Sequence, residues 1–570
     1  MFSLAKILRT FLSNKSFVLS LFLFSVFFYL PTLWHNFAWD DLSVLSSEIH
    51  KIKGYGLFLG HGDYYRPFMA LAHGLDYALW YTNPMGFHLT NILLNAFCGI
   101  AAYLVFARLL QGRNVFLPYA AALLFIVHPA HADSAAWIAG RTDIISTLFF
   151  LLSFLTYILY RDENDTRILS LSALFFLFSL FGKEVSITLP FIALSYDFLI
   201  KQKGIKKTIA AQIPFYLVII VYFLLRHIPK PPIGMGGQPH AGRVESLTFL
   251  NDLALSYGFY IKKLFIPFNL SMFPDIHNWS YFLFLGFFLF ILLLSVIKRQ
   301  HAITFSLLFV LLSILPSMPV VLMNNVPTPV AVRYLYLPVF GFSLFIVHVL
   351  EKIRSNHIKV GLFIVIATIY GISCSWRYME WKNNQVLWAS EVKMNNDSAI
   401  AHLLLGYALY DETKYSDSEK ECSYVINNIG SLRTHKMQKK KFLANAYNML
   451  GIISIDRKDF QAAEKHLYKA ISYGMNNRSV FHNLGTVYLS QYLMNNNTTL
   501  LKGANFMYRE ATLLDPHYLD SAYAFAYTTH LLGRNEEAKK LYEKVINIDP
   551  RSPLALMAIK GIASIENSKK

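Results

Sequence analysis

Charge is scarce in this chain: of 570 residues only 15% are Asp, Glu, Lys or Arg, where a soluble domain carries about 25%. That scarcity excludes an ordinary solvated surface over much of the molecule. Cysteine is scarcer still. Cys98, Cys374 and Cys422 lie far apart, two of them in hydrophobic runs, which excludes a disulfide framework and a cysteine zinc site. There is no Walker loop and no glycine-rich fingerprint behind a strand, so a nucleotide-binding signature is missing. Residues 229–242, with Met235-Gly236-Gly237, follow no strand and read as a flexible loop. No small-residue cleavage site follows the first apolar run, where Pro31-Thr-Leu-Trp34 is bulky. That run therefore reads as an uncleaved first span behind the basic Lys6, Arg9 and Lys15, not as a signal peptide.

What fills the chain instead is apolar: 55% hydrophobic residues, 47 of them Phe, and a mean hydropathy of +0.38. A hydrocarbon core takes about 20 apolar residues per helix. On that rule the sequence predicts eleven spans, at 17–33, 87–107, 115–129, 144–160, 168–182, 185–200, 209–225, 281–297, 302–318, 335–350 and 358–375. The net charge of +17 would suit nucleic acid, but much of it sits in short loops between spans, where it sets orientation. Arg108 and Arg113, Lys201 to Lys207, Lys298 and Arg299, and Lys352 and Arg354 all fall on alternate loops. No nucleic-acid partner is expected. A cytoplasmic N-terminus then places loops 34–86 and 226–280, and the tail from residue 375, on the exoplasmic or lumenal side. The compartment beyond is the periplasm or its equivalent, or the ER lumen in a eukaryote.

From about Asn395 hydropathy falls and a period appears. Leu450-Gly451 and Leu484-Gly485 are 34 residues apart, as are Ala504 and Ala538, and Asp515-Pro516 and Asp549-Pro550. Gly451 to Ala463, Ala526 to Ala538 and Gly406 to Ser418 are steps of twelve. Small residues at that spacing let two helices cross closely, which is the tetratricopeptide (TPR) pattern. Four units are expected, at 395–430, 442–477, 478–519 and 520–553, with a loop around Asn495-Asn496-Asn497. Such arrays offer a groove for a polypeptide partner, or simply brace what they are attached to. The expected fold class is thus all-α, a polytopic membrane bundle over 1–375, a linker over 376–394 and a TPR solenoid over 395–570.

Chemistry-bearing residues cluster on the outer side. Asn36-Phe-Ala-Trp-Asp40-Asp41 puts two carboxylates just after a span, a costly position near lipid. Tyr64-Tyr65-Arg66-Pro67 adds a cation, and Phe87-His88 precedes Asn91 and Asn95 on one helical face. Between two apolar helices lies His128-Pro129-Ala-His131-Ala-Asp133, then Trp137, Gly140, Arg141 and Asp143. His128 and His131, with Asp133 or Asp41, have the chemistry of metal ligands. They equally suit a hydrogen-bonded turn around the break at Pro129, the preferred reading, so no metal is assigned. Gly182-Lys183-Glu184 reads as a buried charge pair, and Arg333-Tyr334 precedes the tenth span. Carboxylates and cations gathered on apolar helices are what transfer from a lipid phosphate needs. Cations neutralise the leaving phosphate, and a carboxylate takes the proton of an attacking hydroxyl.

Asp40-Asp41, Tyr65-Arg66-Pro67, Gly86-Phe87-His88, His128-Pro129-x-His131, Gly140-Arg141-x-Asp143 and Lys183-Glu184, with the repeats behind them, resemble the transmembrane and TPR-containing protein O-mannosyltransferases. These are multi-spanning GT-C glycosyltransferases, so the resemblance implies a GT-C-like membrane domain. It also implies an inverting transfer of mannose from a dolichyl- or polyprenyl-phosphate donor to Ser or Thr of protein, in a bacterial relative from polyprenyl phosphate. By the same resemblance Asp40 or Asp41 is the base. Arg141, Lys183 and Arg333 contact donor phosphate, and Arg66, His88, His128, His131, Asp143 and Glu184 complete the substrate site. A membrane-anchored TPR scaffold without catalysis is the rival reading. A lipid or solute transporter is a weaker one, because transporter charges sit near mid-membrane.

Overall fold

A computed structural model describes residues 15–54, 65–114, 116–227, 246–321, 330–432 and 436–567. The basic Lys6 and Arg9, Tyr64, and the glycine-bearing stretch 229–242 lie outside the described residues. Among the described residues every regular element is helical. Contacts divide the chain into two units, residues 1–387 and 388–570.

In the first unit each expected span falls on helix, but the helices differ in reach. Seven are long and apolar enough to cross a membrane: Lys15–Trp34, Pro84–Leu109, Ile138–Glu163, Ile205–Arg226, Ser280–Ile297, His301–Val320 and Asn356–Glu380. Phe116–Val127, Thr166–Gly182 and Pro338–Glu351 are apolar but shorter. The expected span 185–200 is broken into a 3-10 turn at Glu184–Thr188, the helix Leu189–Tyr196 and a π turn at Asp197–Lys201. Its end is tied down instead, because buried Asp197 accepts from Tyr157 Oη at 2.7 Å, and Gln212 Nε2 donates to the same phenol at 2.8 Å.

Burial sorts the crossing helices. The most apolar stretch of Ile138–Glu163 is 83% buried inside the unit, while those of Ser280–Ile297 and Asn356–Glu380 are only 17% buried. The last two expose Phe287, Phe290, Leu293, Ile364 and Val365 outward. A helix apolar all round is a solution only where the surroundings are apolar as well. The unit is therefore a helical bundle suited to lipid, with Ile138–Glu163 at its centre.

The two long polar loops are not loops throughout. The first carries helices Asp41–Gly54 and Pro67–Trp80, and the second carries Ser246–Phe265. Pro67–Trp80 buries His73 and Asp76 and exposes Leu71, Leu75 and Leu79 at i, i+4 and i+8. Met69 and Ala70 are buried beside His73 and Asp76, and the outward leucine row suits a helix lying at a membrane surface. Hydropathy averaged over a window sees only the mixture and reads loop.

The second unit is a stack of helix pairs: Ala399–Asp411 with Tyr415–Asn428, Lys436–Asp456 with Phe460–Ser472, Arg478–Asn495 with Thr498–Leu514, and Leu519–Leu531 with Asn535–Ile548. A further helix, Pro553–Asn567, follows. The second helix of each pair buries the same i, i+4, i+7 triplet: Ser418, Cys422, Val425, then Ala463, Leu467, Ala470, then Ala504, Tyr508, Ala511, then Ala538, Tyr542, Val545. The middle residue sits under the glycine of the first helix. A Cβ on Gly406, Gly451 or Gly485 would come within 3.0 Å of Cys422 Sγ, 2.7 Å of Leu467 or 2.8 Å of the Tyr508 ring. This is the TPR solenoid the period predicted. The inserted residues in the third pair form no long loop: they extend Arg478–Asn495, and Asn496 turns the chain at φ 54°.

Candidate functional site

The first crossing helix tightens into a 3-10 turn, Leu30–Trp34, and the chain then runs beside residues 382–384. Asn36 N donates to Lys382 O at 2.9 Å, and Trp39 N donates to Asn384 Oδ1 at 2.6 Å. Trp39 is held at φ 56°, left-handed backbone that a bulky residue adopts only under constraint. Its ring packs on Trp137 at 5.0 Å, and Trp137 packs on Trp381 at 5.7 Å. Trp381 is fixed in turn, since its Nε1 donates to Asp133 Oδ1 at 2.9 Å, beside Arg377 Nε at 2.7 Å.

The two adjacent carboxylates have different fates. Asp41 is buried with both oxygens committed: Oδ2 accepts from Ala38 N and Oδ1 from Ala139 N, each at 2.9 Å. It stitches the loop after the first span to the turn before Arg141. Burial pushes its pKa up to about 7, against the pull of those two N–H groups. Asp40 is half-buried, and its Oδ1 has no hydrogen-bond partner among the described residues. Burial raises its pKa too, while Arg333 and the Trp137 indole N–H favour the charged form.

Arg333 is the cation that faces Asp40. Its guanidinium lies 5.7 Å from the Trp39 ring, 5.2 Å from Trp137 and 5.3 Å from Tyr334. Among the described residues no ion pair or hydrogen bond of this guanidinium is seen, so aromatic faces hold it. On Tyr334 sits a second cation, Lys183, with Nζ 4.7 Å from the ring and 2.6 Å from Asp143 Oδ1. Asp143 Oδ2 is buried without a partner among the described residues. Lys183 and Glu184 therefore do not pair with one another, as their adjacency suggested. Glu184 turns to Arg66 instead, accepting from Nε at 3.0 Å and Nη2 at 3.1 Å. Burial alone would raise its carboxyl, and the Arg66 pair holds it at about 2.

The other expected residues lie deeper. Arg141 is fully buried, donating to Asn91 Oδ1 at 2.9 Å, Asp76 Oδ2 at 2.6 Å and Phe87 O at 3.0 Å. His88 is buried with its ring against His35. His128 bonds Leu264 O through Nε2 at 3.1 Å and accepts from Ala130 N at Nδ1, the turn around Pro129. His131 Nε2 bonds Tyr336 O at 3.1 Å while its ring stacks on Tyr336. These donors point at carbonyls, and Asp41 is spent on backbone N–H groups. Among the described residues no three His, Cys, Asp or Glu side chains converge as metal ligands. The set His128, His131 and Asp41 does not fit a metal.

Sequence reasoning missed Asp76, Arg377, Trp381 and Asn384. The last three fall in the stretch read as a linker, where only the Trp and Arg content hinted at a packed role. Nothing local marks Asp76, a lone carboxylate in an apolar helix.

A tetratricopeptide repeat family model matches residues 519–552. Mouse protein O-mannosyl-transferase TMTC3 is 23% identical over 553 residues, 85% of this chain and 57% of that protein. A Caenorhabditis elegans protein O-mannosyl-transferase is 25% identical over 433 residues, 70% of this chain and 60% of its own. Human protein O-mannosyl-transferase TMTC4 reaches 36% over 148 residues, 24% and 18% of the two chains. The chain spans just over half the length of the relatives it matches best along its length. A yeast Tom70 crystal structure is 12% identical over 79% of this chain and 92% of its own, with a TM-score of 0.28, too low to carry an argument. Along most of its length the chain is similar to the TMTC protein O-mannosyl-transferases, a match for the family its motifs and repeats resemble.

Proposed function

We propose that this protein is a GT-C-type inverting glycosyltransferase that moves a sugar from a polyprenyl- or dolichyl-phosphate donor to a hydroxyl. The observation that carries the reading is Asp40 beside Arg333. Among the described residues, a carboxylate oxygen without a hydrogen-bond partner faces a guanidinium held by aromatic rings, with Lys183 next along Tyr334. Asp40 takes the proton of the acceptor hydroxyl, whose oxygen forms the new bond to the sugar C1. The bond from C1 to phosphate oxygen breaks, and Arg333 and Lys183 balance the charge left on the lipid phosphate. Burial supports this role for Asp40, since a base in a partly dry site is stronger than one in water.

Asp41 has no free oxygen for that proton, so its part is to position Asp40. Arg141 with Asp76, and Arg66 with Glu184, tie the segments that carry the neighbouring Asp143 and Lys183 into the bundle. The relatives' names favour mannose as the sugar and protein Ser or Thr as the acceptor. The TPR unit would bring that polypeptide to an exoplasmic face, with the N-terminus on the cytoplasmic side. The test is label transfer by purified protein in nanodiscs, from polyprenyl-phosphate mannose or glucose to mixed polypeptides. Transfer by wild type but not by Asp40→Asn supports the reading. No transfer with either donor, while the protein still captures polypeptide, turns it to the scaffold.

A further inference from the structure

At the other end of the bundle from Asp40 lies a cavity of about 380 Å³ walled by Arg113, Gln300, His301, His348, Glu351 and Lys352. The helix Pro84–Leu109 starts at the level of the candidate site and runs 26 residues to the loop that carries Arg113, about 39 Å at 1.5 Å per residue. The helix Pro338–Glu351 likewise starts just after Arg333 and ends at Glu351. The 14 residues of this second helix span about 21 Å, so the cavity lies about 20–40 Å from the candidate site, a distance comparable to a hydrocarbon core. Nothing in the proposed transfer uses it.

Its charges do not balance. Arg113 pairs with Glu351 and lies 3.4 Å from His348 Nδ1, while Lys352 Nζ donates to the neutral Gln300 Oε1 at 2.6 Å. Two full cations therefore share one carboxylate. The flanking Lys298, Arg299 and Arg354 add positive charge and no negative charge to the same loops. His348 is 5% exposed and forms the buried wall, while Arg113, His301 and Lys352 are exposed, so the space is an open depression at the helix ends. We propose that this cavity binds a phosphate-bearing monoanion, such as the phosphodiester of an anionic phospholipid, at the membrane edge opposite the catalytic face. One negative charge closes the balance that Lys352 leaves open. The amide of Gln300 and the imidazoles of His301 and His348 supply further polar contacts around it. Basic pockets between spanning helices are where anionic headgroups settle.

The experiment uses the full chain in nanodiscs and in detergent, reading retained lipid by native mass spectrometry and stability by thermal unfolding. Phosphatidylglycerol is compared with phosphatidylcholine, and inorganic phosphate is added to lipid-free protein in a separate arm. Preferential retention of phosphatidylglycerol is expected, falling about fivefold for each cation removed in Arg113→Gln and Lys352→Gln. Glu351→Gln removes the competing carboxylate and should raise retention. If inorganic phosphate alone stabilises wild type and not the double variant, the anion is free phosphate and the site stands. Two results overturn the proposal. One is equal retention of the two lipids with no response to phosphate. The other is Glu351→Gln lowering retention in step with stability, which would make the cluster an ion-pair strut.

Discussion

Arg141 looks, by its place among the motifs, like a ligand for donor phosphate, yet the fold spends it inside the protein, and that difference can be measured. Its side chain is fully buried and its partner Asp76 is 3% exposed. Three bonds, to Asp76, Asn91 and Phe87 O, leave little of the guanidinium for anything else. Removing one member of such a pair strands a charge out of water and costs about 3–5 kcal/mol. Replacing both with apolar residues of similar size is close to neutral, because the desolvation penalty disappears along with the attraction. Asp76→Leu and Arg141→Met should each lower the unfolding transition of the purified protein by that amount. The double variant should recover most of the loss, so the two losses are far from additive and the coupling energy is about 5 kcal/mol or more. Thermal unfolding in detergent, followed by tryptophan fluorescence, is the assay. Additive losses, or an Arg141→Met protein that unfolds like wild type while failing to bind polyprenyl phosphate, would refute the reasoning and return Arg141 to the donor.

Trp39→Gly should be more stable than Trp39→Ala by about 1 kcal/mol, since glycine adopts positive φ without a Cβ penalty; equal melting would mean the turn carries no strain. Asp41 has a folded pKa near 7, above its ordinary value of 3.8. The stability it contributes is therefore fully present below pH ~4 and lost as pH rises through ~7. Unfolding measured across that window should show a decline that Asp41→Asn flattens. Gly485→Ala would push a Cβ to 2.8 Å from the Tyr508 ring, and overpacking of this kind costs about 1–3 kcal/mol. Faster proteolysis within residues 478–514 of the full-length protein is the expected sign, and wild-type resistance would contradict the packing.

Much of the architecture is legible in local pattern. Apolar runs of membrane length need no partner to declare themselves, and ten of the eleven expected spans fall on crossing or shorter apolar helices. The 34-residue period is equally local, because each TPR pair buries the same triplet against its own neighbour. Failures occur where averaging hides a short helix. Pro67–Trp80 is apolar on average but only 14 residues long, short of the about 20 that a span takes, and the polar residues flanking it pull a longer window down to loop. The inserted residues near Asn495 look like turn chemistry, yet only Asn496 turns, because a helix already packed extends at little cost.

The sequence alone determined that the protein lives in a membrane, that a helical repeat follows, and which residue types could carry phosphate chemistry. Those are properties of composition and period, fixed over stretches of tens of residues. Only the tertiary structure decided what each charge does. Asp40 and Asp41 are neighbours with the same side chain, but Ala139, 98 residues away, takes up an oxygen of Asp41, while Oδ1 of Asp40 has no hydrogen-bond partner among the described residues. Lys183 and Glu184 part company for Asp143 and Arg66. Arg333, with no ion pair among the described residues, lies against its own neighbour Tyr334 and against Trp39 and Trp137, which reach it from two distant segments. A buried charge takes its meaning from the partner that pays for its desolvation, and that partner is set by the packing of distant helices.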